Sequence, residues 1–130
     1  MRFAKRFDQK NKMPNKNLIF TVLFWSLFTI TTFLLLIEVK PAPQTWPKDK
    51  LEHAIAFVLL TYLGFKANPK YVFYVSLGLA IYGGLMELLQ LWLTQTRSAS
   101  MLDWLADLVG IALGLFALKC YRNQLRRQYE

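Results

Sequence analysis

The sequence predicts an all-α fold, an integral membrane four-helix bundle, and three observations carry that expectation. Apolar residues gather in four blocks, Leu18 to Ile37, Leu51 to Phe65, Tyr71 to Leu93 and Met101 to Cys120, with nearly all Lys and Arg between or beyond them. Blocks of roughly 20 apolar residues are what a helix needs to cross a hydrocarbon core of about 30 Å. Hydrophobic residues make up 55% of the 130, and the mean hydropathy of +0.26 is high for a soluble chain of one-domain size.

The net charge of +8 and pI near 9.8 do not point to nucleic acid. Most of the basic residues sit toward the two ends of the chain, with no basic face interleaved with aromatics, and flanking anchors explain them better. Cys120 is the one cysteine, so there is neither a disulfide framework nor a CxxC metal pair. It is expected to be an inert residue at the end of the last span.

Residues 1–17, MRFAKRFDQKNKMPNKN, carry six basic residues against Asp8 and read as a cytoplasmic tail. The apolar run 18–37 that follows is longer than a signal core of about 7 to 15 residues, so it reads as a retained anchor. Its hydroxyls, Thr21, Ser26, Thr29, Thr31 and Thr32, can bond back to the helix's own carbonyls and so sit in lipid at little cost. PAPQTWPKDK then stops the helix with three prolines, and Pro47 suits the first turn of a second helix. That span, 47–66, opens on polar residues: Lys48, Asp49, Lys50, Glu52 and His53. Asp49 and Glu52 also complement the positive end of the helix dipole.

Lys66-Ala67-Asn68-Pro69-Lys70 is a tight turn into the third span, 71–93, where Gly78, Gly83 and Gly84 permit close approach of a neighbour. The fourth span, 100–120, has a comparable stripe of Ala106, Gly110 and Gly114. The four spans form one membrane domain, 18–120, and residues 121–130 form a second basic cytoplasmic tail. With both ends inside, twelve basic residues lie on the cytoplasmic side and four outside, the asymmetry that the positive-inside rule demands. Trp46, Trp92 and Trp104 then fall at the outer boundary as an aromatic belt.

This topology gathers scattered polar residues at one end. Asp49, Lys50 and His53 open the second span on the outer side, Glu87 and Gln90 close the third there, and Asp103 and Asp107 open the fourth, with Arg97 in the connection between them. Spacings of three or four place each set on one helix face. Glu87 and Asp107 lie below the outer surface and are expected to face protein, since ionisable groups in a bilayer are costly and mark function.

Two readings of the cluster stay open on these residues. In one, the groups neutralise each other and hold the helices together, Lys50 or Arg97 pairing with Glu87, Asp103 or Asp107. In the other they form an outward-facing pocket rimmed by Lys50 and Arg97 and floored by His53, Glu87 and Asp107, suited to an anionic head group. Asp49, His53 and Glu87 are the candidates for acid/base work. No HxxH or HExxH spacing is present, so neither a metal nor another cofactor is expected. Ser98 and Ser100 lack the elbow that frames a nucleophile.

DKLEHAIAF at 49–57, ELLQ at 87–90 and RSASMLDWLADLVGIALG at 97–114 resemble the VanZ-like family of small membrane proteins, named for a teicoplanin-resistance protein. The family pattern is similar to D-K-x-x-H-x-x-x-[FY] opening one span, E-x-x-Q closing the next and R-x(5)-D-x-x-x-N-x-x-G opening the last. The matching positions are Asp49, Lys50, His53, Phe57, Glu87, Gln90, Arg97, Asp103 and Gly110. Asp107 stands where the family usually has Asn, which adds a negative charge in low dielectric and calls for a proton or a cation.

The resemblance implies an envelope protein linked to resistance to a lipid-bearing glycopeptide. The expected function is engagement of a membrane lipid or lipid-linked precursor by a plasma-membrane protein, with self-association left open. The alternatives are an enzyme that modifies a lipid phosphate and a small proton- or cation-conducting unit that relays through Glu87, Asp103 and Asp107.

Overall fold

In the computed structural model the described residues are 16–37, 48–93 and 100–130. Among them are four α-helices, α1 (Lys16–Leu36), α2 (Lys48–Ala67), α3 (Val72–Leu93) and α4 (Met101–Tyr129), with a short 3-10 turn at Pro69–Tyr71 before α3. The fold is all-α, with no strand among the described residues. The N-terminal tail, the proline segment with Trp46, and the connection with Arg97 and Ser98 lie outside the described residues.

Three helices, α1, α3 with its 3-10 turn, and α4, are long and apolar enough to cross a bilayer, which makes this a multi-pass membrane protein. Large apolar side chains such as Trp25, Phe33, Phe73, Ile81 and Phe116 face outward, a surface suited to lipid and not to water. The helix α2 has the length of a span, but its first two turns, with Lys48, Asp49, Lys50 and Glu52, make it less apolar over that length than the other three. It is nonetheless the hub, packing along α1, α3 and α4.

Side-chain pairings fix the topology. Thr32 meets Tyr82 and Gln90 meets Leu35, so α1 and α3 run the same way. Lys50 meets Asp103 and His53 meets Asp107, so α2 and α4 also run together. Trp104 reaches Ala80 and Glu87 reaches Ser100, so α3 and α4 are antiparallel. The result is an up-down-up-down bundle.

The helices form as the sequence dictates. Thr21, Thr29 and Thr32 in α1 donate to the carbonyls of Asn17, Trp25 and Phe28 at 2.7 to 2.8 Å, back-bonding that hides the hydroxyls from lipid. The core is Phe57, Leu60, Leu79 and Ile111. Beside it, Tyr82 lies between Phe28 and Phe57, with ring centroids 4.4 and 6.0 Å away, and its hydroxyl bonds Thr32 at 2.7 Å.

Small residues set the spacing of α2 against α4. A Cβ on Gly110 would collide with the Ala54 carbonyl, and one on Gly114 would stand 3.0 Å from Thr61 Cβ. Gly84 adjoins the Trp104 indole, but Gly78, expected at a close approach, has open space beside it. Gly64, which no pattern singled out, packs against Val75 and Phe24. The helix α4 continues to Tyr129; its 29 residues span about 43 Å at the standard rise, so its basic end projects beyond the hydrocarbon. Lys66 ties that extension to α2, lying 5.6 Å from the Tyr62 ring and 5.2 Å from the Tyr121 ring.

Candidate functional site

The parallel pairing of α2 and α4 decides which side chains meet. Residues three or four apart on one helix face meet residues four apart on the other, so two rungs form. In the first, Lys50 Nζ lies 2.5 Å from Asp103 Oδ1. In the second, one turn deeper, His53 Nδ1 and Asp107 Oδ1 share a hydrogen bond of 2.8 Å. Asp107 is 1% exposed and His53 7%, as expected of ionisable groups that must avoid lipid.

The third helix closes the group. Glu87, 7% exposed, accepts a 2.8 Å hydrogen bond from the backbone N–H of Ser100, at the start of α4. A carboxylate there satisfies an orphan donor and complements the helix dipole. Gly83, one turn before Glu87 on the same face, makes room for Asp107: a Cβ there would stand 2.7 Å from Asp107 Oδ2. Gln90 donates through Nε2 to the Leu35 carbonyl at 2.8 Å and so joins α3 to the end of α1.

No protein-family model, curated protein or solved structure matches the chain. The site therefore stands on its own geometry, and that geometry unites most of the residues singled out in the sequence. Donor atoms of His53, Glu87 and Asp107 lie within 4.8 Å of one another, and so do those of Asp49, His53 and Asp103. Lys50, expected at the rim of an anion pocket, has its ammonium committed to Asp103. Arg97 lies outside the described residues. Trp104, expected as a belt residue, turns its indole N–H inward to the Ala80 carbonyl at 3.0 Å, because Gly84 leaves the space for its ring.

Two cavities flank the bundle at opposite ends. One of about 270 Å³ lies between α1 and α2. Its walls are apolar, with Leu34, Leu35, Ala56 and Phe57 among them, and Asp49, Glu52 and His53 form its polar end. Sequence reasoning missed it, because the wall on α1 consists of ordinary aliphatic residues without a pattern. The other, of about 220 Å³, lies at the far end beside Phe65 and Val72, with Lys119, Arg122 and Arg126 along the extension of α4.

The first cavity joins apolar walls to a polar end, and His53 at that end belongs to the buried histidine–carboxylate pair. A carboxylate that fixes an imidazole is also the arrangement from which acid/base chemistry is built.

Proposed function

We propose that the chain is a VanZ-like envelope protein of the plasma membrane, with four spans and both termini cytoplasmic. In this reading its outward-facing polar site engages an anionic lipid or lipid-linked envelope precursor, in the service of envelope homeostasis or glycopeptide-type resistance. The cavity between α1 and α2 carries the reading. It offers an apolar wall for an acyl or prenyl chain, and it ends at His53, beside Glu87 and Asp107. Pockets that combine apolar walls with a few convergent polar groups are the usual form of a binding site.

Filling the cavity tests this. Ala56→Trp, a substitution on the cavity wall, is expected to cut retention of phosphatidylglycerol by purified protein about ten-fold or more, read by native mass spectrometry against phosphatidylcholine. Unchanged retention in Ala56→Trp, with loss instead in Arg122→Ala/Arg126→Ala, would put the lipid at the cytoplasmic end and end the proposal.

A second reading, a membrane enzyme acting on a lipid phosphate, draws on the His53–Asp107 hydrogen bond. Phosphate release from a lipid phosphate by the purified protein, absent in His53→Gln, would favour it over simple binding.

A further inference from the structure

We propose that His53, Glu87 and Asp107 form a site for one divalent transition-metal cation, zinc or manganese(II), at the polar end of the cavity between α1 and α2. Each residue comes from a different helix, and one donor atom from each lies within 4.8 Å of the others. All three are more than nine-tenths buried. One imidazole nitrogen with two carboxylate oxygens is a donor set that these ions accept, whereas magnesium prefers an all-oxygen shell.

The triad also has bonding capacity to spare for a cation. A carboxylate has about four acceptor positions. Yet Asp107 is bonded only to His53, and Glu87 only to the Ser100 N–H. Among the described residues, Glu87 Oε1, Asp107 Oδ2 and His53 Nε2 have no hydrogen-bond partner.

Charge points the same way. Asp49, Glu87, Asp103 and Asp107 gather at this end, and Lys50 is already paired with Asp103. The inner triad thus has two carboxylates and no described cation other than a protonated His53. Donors around zinc, bonded at about 2.0 to 2.2 Å, stand roughly 3.3 Å apart, so a modest contraction completes the site. The other candidate triad, Asp49, His53 and Asp103, is less suited because Asp103 already holds Lys50.

The proposal deepens the lipid-binding reading and rests on it for one consequence. His53 belongs both to the triad and to the cavity wall. A bound dication therefore presents positive charge to the cavity and supplies what an anionic head group needs at an otherwise acidic end.

Full-length protein, stripped with EDTA in detergent, is titrated calorimetrically with zinc and with manganese(II). The expected result is one equivalent bound per chain, weakened about ten-fold or more in both Glu87→Gln and Asp107→Asn. Circular dichroism selects the folded variants, and either one suffices. No saturable binding of either ion, or unchanged affinity in a folded variant, overturns the site. Phosphatidylglycerol retention is then measured with and without the bound ion. Metal bound without lipid retention removes the lipid reading and leaves the metal site standing; lipid retained equally by stripped protein that binds no metal does the reverse.

Discussion

The seam between α2 and α4 has two halves that differ in kind. In the half toward the C-terminal ends of the two helices, Gly110 and Gly114 bring the backbones together beside Phe57 and Thr61, and Leu60 and Ile111 complete the packing. In the half at their N-terminal ends the same two helices meet through Lys50–Asp103 and His53–Asp107. Small-residue packing is how spans cohere when lipid offers no hydrophobic drive. Paired buried charges gain little over apolar replacements of similar size. The contrast teaches that the glycine half holds the bundle by close packing, whereas the proposed function accounts for the polar half.

The comparison breaks hardest at Gly110. Gly110→Leu drives a side chain into the Ala54 carbonyl and Phe57, and backbone cannot give way. The expected cost is about 3 kcal/mol or more, seen as loss of a monodisperse, thermally cooperative protein in detergent. A smaller effect sharpens the other half. Lys50→Met leaves Asp103 without its cation and is expected to cost about 3 kcal/mol at most. Adding Asp103→Leu should recover all but about 1 kcal/mol of it; a double variant no more stable than the single one would show that the pair holds the bundle. The smallest effect belongs to Gly78, which has nothing within 4 Å of its would-be Cβ. Gly78→Ala should leave the stability, read from thermal unfolding, level or slightly raised, by under about 1 kcal/mol.

Much of this division was legible in the sequence. Hydropathy located the four helices to within a residue or two at most ends, because each apolar block is bounded by charges or prolines. Spacing placed Asp103 with Asp107 and Glu87 with Gln90, because helical periodicity is independent of tertiary context. What stayed hidden depends on three dimensions. The choice of Asp103 over Glu87 as the partner of Lys50 follows from the register of α2 on α4. The Leu35 carbonyl that receives Gln90 is a backbone group with no signature. Gly78 and Gly64 look alike as residues, and only the crossing geometry of the helices separates the open one from the packed one. Thr61 Oγ1, buried without a hydrogen-bond partner among the described residues, is a cost of that close crossing.

His53→Gln puts the division to the most direct test, since the amide keeps a donor for Asp107 while removing the imidazole from the cavity wall. Unfolding midpoint and phosphatidylglycerol retention are measured on the same purified variant. The expected result is a midpoint within about 2 °C of the parent together with retention reduced about ten-fold or more. A midpoint that falls steeply while retention stays intact would mean that the polar half is glue after all.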